Sequence, residues 1–156
     1  MSLDDFLKWL PPILVVLGWI VVNWQNDKRE LRKEARTLID AAKKSVGEIA
    51  VKAVNYHVDG QHGLAFEIKA GLDALEIECE RLPFFVVKNS PLMGAHVAFS
   101  DAVTGGDFEA TAPAKKAPNS PEVATILRTR TEMLAELERV FRVHYLGRGG
   151  SRHPWG

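Results

Sequence analysis

Apolar residues follow two different patterns along the chain. From Trp9 to Val22, fourteen consecutive residues carry no charge and no strongly polar side chain. From Gln25 onward, apolar residues instead recur every three or four positions, which is the period of one face of an α-helix. The second pattern predicts an all-α protein, and the first raises the question of a membrane span.

The apolar run has the length and the flanks of a membrane span. Counted from Phe6 to Trp24 it is 19 residues long, interrupted only by Lys8 and Asn23, and about 20 helical residues cross the ~30 Å core of a bilayer. Tryptophans at its two ends match the preference of indole rings for the membrane interface. We therefore expect residues 1–24 to be a membrane anchor in contact with the lipid bilayer. The predicted span consists of Trp9, Ile13, Leu14, Val15, Val16, Leu17, Trp19, Ile20, Val21, Val22 and Trp24.

Two alternatives to an anchor fit the sequence less well. A cleaved secretory signal has a basic start and a small-residue cleavage site, whereas this chain starts with the acidic stretch MSLDD and leaves the run through bulky residues. A buried helix that is apolar on all sides needs a large core around it, and the rest of the chain is too polar and too short to supply one. The anchor is the preferred interpretation.

The flanking charges predict the orientation of this anchor. One basic residue, Lys8, precedes the run, and seven follow it within twenty residues. Because basic residues stay on the cytoplasmic side, we expect a single-pass protein of the inner (plasma) membrane with its N-terminus outside and the rest of the chain in the cytoplasm. The seven are Lys28, Arg29, Arg32, Lys33, Arg36, Lys43 and Lys44.

The residues that follow predict a stalk helix and a helical hairpin within 25–108. Gln25 to Tyr56 contains no proline and carries an apolar stripe at helical spacing. The glycine-containing stretch 55–63 predicts a turn. A second helix then covers Leu64 to Leu82 and ends at Pro83.

The tripeptide Asn-Ser-Pro occurs twice and predicts the starts of two further helices. In each copy, at Asn89–Pro91 and Asn119–Pro121, the serine suits the N-cap and the proline the first helical position. The helices are predicted over about 91–103 and 121–146. Residues 109–120 lack large apolar side chains and predict a linker, and 147–156 form a glycine-rich tail. The predicted fold is thus all-α: one N-terminal transmembrane helix, a helical hairpin and two further helices in a small cytoplasmic bundle.

Composition and charge exclude few functions, but they argue against nucleic acid as a binding partner. Lys+Arg and Asp+Glu number 20 each, so no net positive charge draws the chain to a polyanion. The arginines near the C-terminal end are interspersed with glutamates, which weakens any local basic patch. The only cysteine, Cys79, cannot form an intramolecular disulfide.

No set of residues in the sequence points to catalysis. His57, Asp59 and His62 share one predicted turn, but their spacing matches no rigid metal-ligand pair. His96 and Cys79 fall on apolar helix faces, where both are expected in the core. We therefore expect no enzymatic activity, no cofactor and no bound metal.

The remaining features favour an interaction or scaffold module held at the cytoplasmic membrane face, whose helices bind another protein or a second copy of the chain. Two alternatives stay open: an envelope-facing helical protein with the anchor-plus-ectodomain plan of phage lysis proteins, and a metal or ligand sensor using His57, Asp59 and His62. The run FFVV, 84–87, is expected to fill the core, with a docking surface or a short strand as its alternatives. The predicted contact stripe comprises Leu31, Ala35, Leu38, Ala42, Val46, Ile49, Leu134, Leu137 and Phe141.

Overall fold

A computed structural model describes residues 3–82, 85, 90–110 and 114–146, with the side chains of 3–12, 28 and 146 left out. The described residues form four α-helices and no strand. They are α1 (Leu3–Asp59), α2 (Leu64–Glu80), α3 (Pro91–Thr104) and α4 (Pro121–Phe141), and a π-helical turn (Arg142–Leu146) continues α4. The all-α prediction is confirmed.

The chain divides into two compact units, residues 1–35 and 36–156. The described part of the first unit is entirely helical, belonging to α1. The second unit contains the remaining residues of α1 together with α2, α3 and α4.

The predicted membrane span and the single-pass inner-membrane location are wrong. Among the residues that the structure describes, no helix combines the length and the apolar character that crossing a membrane requires. The physical reason lies in the length of the uncharged run: the fourteen residues Trp9–Val22 span about 21 Å of helix at 1.5 Å per residue, short of the ~30 Å bilayer core. Beyond it stand Asn23, Gln25 and Asn26, and then charged residues.

Most predicted helix boundaries lie within a few residues of the observed ones. The predicted anchor and stalk are a single helix, and α1 passes through Pro11 and Pro12 without an assigned break. The last helix, expected to reach Leu146, changes from α to π geometry after Phe141. The predicted tail and most of the FFVV run lie outside the described residues; of that run Phe85 is described, and it is buried.

In the second unit, α1 packs antiparallel to α2. Ser45 on α1 donates a hydrogen bond to Glu78 on α2 (2.9 Å), whereas Lys52, further along α1, pairs with Glu67, which lies earlier on α2. Gly71 allows this close approach, because a Cβ atom there would lie 2.9 Å from Cγ1 of Ile49. The chain reverses between the two helices through residues 60–63, where Gly60 adopts φ 68°, a conformation that glycine takes without steric cost.

The same part of α1 also packs antiparallel to α4. Arg36 and Lys43 both donate to the Glu138 carboxylate. Further along α1, Val51 and Val54 line one groove with Leu127, which lies earlier on α4. The end of α3 and the start of α4 line one cavity, and these two helices also pack against each other.

The core of the second unit is formed by apolar side chains from all four helices. Each helix contributes at least one fully buried large residue: Ile39 from α1, Leu75 from α2, Phe99 from α3 and Met133 from α4 are all 0% exposed. Burial of such side chains stabilises a fold by roughly 1.5–3 kcal/mol each. The predicted helical bundle is therefore what the described residues form.

The two Asn-Ser-Pro serines behave differently. Ser120 lies at the N-cap of α4, and its hydroxyl accepts a hydrogen bond from the Val123 N–H at 3.4 Å. Ser90 lies at the N-cap of α3 but makes no side-chain cap bond. The prediction that both hydroxyls cap their helices is right for Ser120 and wrong for Ser90.

Candidate interaction surface and polar cavity

Most of the predicted contact stripe is buried within the chain's own fold. Ala42, Val46 and Leu137 are 0% exposed, and Ala35, Ile49 and Phe141 are also buried. Leu38 and Leu134 are half-buried, and Leu31 is 58% exposed. A buried side chain has no surface left for a partner. The buried residues of the predicted stripe therefore cannot form an interaction surface.

On α4 one residue of the predicted stripe lies off the buried face. The buried positions include Ile126, Thr129 and Met133 beside the predicted Leu137 and Phe141, whereas Leu134 is half-buried. The polar Thr129 belongs to the buried face because its hydroxyl donates to the backbone carbonyl of Thr125 at 2.9 Å, which satisfies it inside the core. Leu127 is consequently left 45% exposed.

Among the described residues, the longest run of exposed large apolar side chains lies on the first unit. Every large apolar side chain from residue 13 to 24 is between 47% and 72% exposed. The ten residues are Ile13, Leu14, Val15, Val16, Leu17, Trp19, Ile20, Val21, Val22 and Trp24. Ten such side chains present on the order of 1,000 Å² of apolar surface, against the 300–600 Å² of the largest patch on a typical monomer. We call residues 13–24 the apolar segment.

The apolar segment is apolar on every side of the helix. Ten consecutive apolar residues, Ile13–Val22, complete nearly three helical turns, and none of them carries a charge. A helix of this kind is typical of positions enclosed by other helices. The segment is therefore a candidate interaction surface.

A second candidate lies at the far end of α1, where the α3–α4 connection is attached to the helix. The Glu109 N–H donates to the Tyr56 hydroxyl at 2.9 Å, and the Lys116 N–H donates to the His57 carbonyl at 2.7 Å. Within the connection, Asp107 accepts a hydrogen bond from the Ala114 N–H at 2.9 Å, which lowers the pKa of its carboxyl. The described residues of the predicted linker are thus attached to α1 by specific hydrogen bonds.

A cavity of about 300 Å³ lies beside this attachment, within the second unit. Its walls come from the end of α1, the end of α3 and the start of α4. We call it the polar cavity. The lining residues are His57, Asp101, Ala102, Gly105, Gly106, Pro121, Glu122 and Thr125.

The polar groups of this cavity are poor in donors. His57 is 3% exposed, and its Nε2 atom is buried with no hydrogen-bond partner. Asp101 is exposed and Glu122 is half-buried. The Thr125 hydroxyl already donates to the Pro121 carbonyl at 2.8 Å, so only its lone pairs remain available. A hydrogen bond from its own backbone N–H lowers the pKa of Glu122, which keeps this carboxyl ionised.

A smaller groove on α1 and α4 is mainly apolar. Its volume is about 290 Å³, and its lining includes Val51, Val54, Leu127 and Arg130. The Nε atom of Arg130 is buried without a hydrogen-bond partner. No carboxylate lines this groove, and it offers fewer convergent polar groups than the polar cavity.

The residues singled out for metal or acid–base chemistry are not brought together. Across the described part of the chain, no group of three or more His, Cys, Asp or Glu side chains is arranged to hold a metal ion. His57 is buried, whereas Asp59 and His62 are exposed; the rings of His57 and His62 each make an edge contact with Tyr56, at centroid distances of 5.1 and 5.8 Å. The sequence singled out His57 but neither Asp101 nor Glu122. These two residues come to line the same cavity as His57 only because the helices pack together.

The buried cysteine and the second buried histidine lie in the core as expected. Cys79 is 0% exposed, and burial raises the pKa of its thiol to about 12, so no reactive thiolate forms near neutral pH. His96 is 7% exposed and makes an edge contact with Phe85 at 5.6 Å. Burial lowers the pKa of His96, which favours its neutral form.

The arginines of α4 are largely engaged with neighbouring glutamates. Arg128 pairs with Glu132 at 2.7 Å, and Arg139 pairs with Glu136. These pairs reduce the local positive charge, in line with the expectation from the sequence; Arg148 and Arg152 lie outside the described residues.

Comparison of the chain with protein-family models, with curated proteins and with solved structures gives no match.

Proposed function

We propose that this protein is a non-enzymatic helical interaction module that associates with further copies of itself through the apolar segment, residues 13–24. The observation that carries the proposal is the exposure of all ten large apolar side chains of the segment. On the order of 1,000 Å² of exposed apolar surface exceeds the ~800 Å² per partner that a stable protein interface buries.

The character of the surface favours identical copies as the occupant. The segment offers no charge by which a polar partner would be oriented. Because it is apolar on every side, one flat partner surface leaves much of it in water, whereas several identical helices packed side by side cover one another. Closed assemblies of identical chains are also the commonest form of protein oligomer.

Cross-linking tests this contact directly. Leu17→Cys places a thiol within the segment, and the native Cys79 does not interfere because it is fully buried. We expect a bis-maleimide reagent to link chains of the Leu17→Cys variant in solution. The matched control is Asp73→Cys, which places a thiol at an exposed position of α2.

The outcome separates the proposal from random collision. Efficient linking of the Leu17→Cys variant with little linking of Asp73→Cys supports association through the segment. Equal linking of both variants, or none of either, overturns it.

A further inference from the structure

The polar cavity is lined by two acidic residues and one buried histidine. Asp101 and Glu122 belong to its lining, as does His57, whose Nε2 atom is buried without a hydrogen-bond partner. No lysine or arginine among the described residues lines it; outside the lining, the ammonium of Lys116 forms an ion pair with the Glu122 carboxylate at 3.7 Å. A buried polar atom without a partner costs roughly 1–3 kcal/mol, so a ligand that supplies the missing hydrogen bond is favoured.

The helix ends around the cavity also favour positive charge. The cavity lies at the C-terminal ends of α1 and α3, and helix C-termini carry partial negative charge. The N-terminus of α4 also reaches the cavity, but its first donors are already occupied. Val123 N–H donates to the Ser120 hydroxyl and Ala124 N–H to the Ser120 carbonyl, while the Glu122 N–H serves its own carboxylate. An anion would find none of these three donors free.

We infer that the polar cavity binds a small organic cation, an alkylammonium or guanidinium group, held by the carboxylates of Asp101 and Glu122 and by the imidazole of His57. A volume of about 300 Å³ holds roughly ten non-hydrogen atoms at the ~30 Å³ that each water occupies in the liquid. That is enough room for a lysine or arginine side chain, or for a free amine of similar length, together with a few water molecules. The arrangement differs from a metal site, since the described residues form no metal-holding group.

Binding is tested on the full chain by NMR titration with four named probes. Two are free cations, n-propylammonium and N-methylguanidinium; two are blocked amino acids, N-acetyl-lysine methylamide and N-acetyl-arginine methylamide. n-Propanol serves as the uncharged control. We expect saturable shifts of the His57 ring nitrogens and of the Gly105 and Gly106 amides with the cations, and none with n-propanol.

Asp101→Asn removes one carboxylate without disturbing the fold, because Asp101 is exposed and its side chain makes no hydrogen bond that the structure records. We expect about tenfold weaker binding, or more, from the loss of a charge-assisted contact. The matched control is Asp73→Asn, which makes the same change at an exposed site on α2 and should alter affinity less than about twofold.

The titration answers two separate questions: whether the cavity binds a cation at all, and whether that cation is an amino-acid side chain or a free amine or guanidine. Tighter binding of the blocked amino acids supports the site with a partner protein's side chain as its ligand, and tighter binding of the free cations supports it with a free amine or guanidine. Absence of saturable shifts with all four cations overturns the inference, as does equal affinity of the Asp101→Asn variant and the wild-type chain. The result is independent of the chain's self-association, which this titration does not measure.

Discussion

The two parts of helix α1 differ in whether their apolar side chains are buried. From Ile39 to Tyr56 the apolar residues recur at helical spacing, and the chain's own α2 and α4 pack against that face. From Ile13 to Trp24 apolar residues surround the helix, and every large one is exposed. The comparison shows that the spacing of apolar residues, rather than their number, decides whether one chain can bury them.

Truncation of one side chain in the bundle core and of one in the apolar segment should give the largest difference in stability. Phe99 is 0% exposed in the bundle core, and Phe99→Ala should lower the free energy of unfolding by about 3–5 kcal/mol. Leu17 is 52% exposed, and Leu17→Ala should change bundle stability by less than about 0.5 kcal/mol. Urea unfolding followed by circular dichroism measures both; similar losses would show that the segment belongs to the bundle core.

The contact between α1 and α4 depends on one carboxylate in the second unit. Lys43 and Arg36 both donate to Glu138, and these bonds lower its pKa. Glu138→Gln should cost about 1.5 kcal/mol at pH 7, since hydrogen bonds to charged groups stabilise by about this much.

The stability lost in Glu138→Gln should become smaller as the pH falls. A carboxyl with a depressed folded-state pKa stabilises the fold above its unfolded pKa of about 4.3, and this stability is lost as the pH falls through the folded value. The difference between wild-type and Glu138→Gln should therefore shrink between pH 7 and about pH 3, as judged by urea midpoints. A difference that stays constant would mean that the ion pairs do not stabilise the packing of α1 on α4.

Two helical glycines should respond to alanine in opposite directions. A Cβ atom at Gly94 would meet nothing within 4 Å, whereas at Gly71 it would lie 2.9 Å from Cγ1 of Ile49. Gly94→Ala should raise the unfolding free energy by about 0.8 kcal/mol through helix propensity. Gly71→Ala should gain less or lose stability, because α1 and α2 must separate slightly. Thermal unfolding of both variants provides the test, and equal gains would contradict the close packing of these helices.

The smallest expected effect on stability comes from replacing the two N-cap serines, Ser120 and Ser90, by alanine. Ser120→Ala should cost about 0.5 kcal/mol, at the low end for N-caps because the bond is long. Ser90→Ala removes no side-chain cap bond and should cost less. A larger effect at Ser90, measured by urea unfolding, would contradict the observed cap geometry.

Periodicity predicted the helices well, but it located their buried faces less reliably. Cys79 on α2 and His96 on α3 are buried as predicted. On α4 the prediction missed Thr129, because sequence polarity does not reveal that a threonine hydroxyl can bond back to the helix carbonyl four residues earlier. On α1 it chose Leu38 where Ile39 is fully buried, since two adjacent apolar residues fit the same stripe.

The candidate sites were harder to anticipate than the helices. The sequence singled out the apolar run and predicted a membrane span for it, but no helix among the described residues has the length and apolar character to cross a membrane. His57 entered the sequence analysis only through the alternative of a metal or ligand sensor with Asp59 and His62, whereas in the structure it lines a cavity with residues of α3 and α4. Residues so distant in the chain meet only through tertiary packing, which no local pattern encodes.

The solution mass of the full chain, measured by sedimentation equilibrium over a range of concentrations, tests the central claim most directly. The account predicts a mass that is a multiple of 17.3 kDa, falling to the single-chain value in a Leu17→Glu variant but unchanged in Gln25→Glu, which adds the same charge just beyond the segment. A wild-type mass of 17.3 kDa at every concentration, or an assembly that Leu17→Glu leaves intact, would contradict association through residues 13–24.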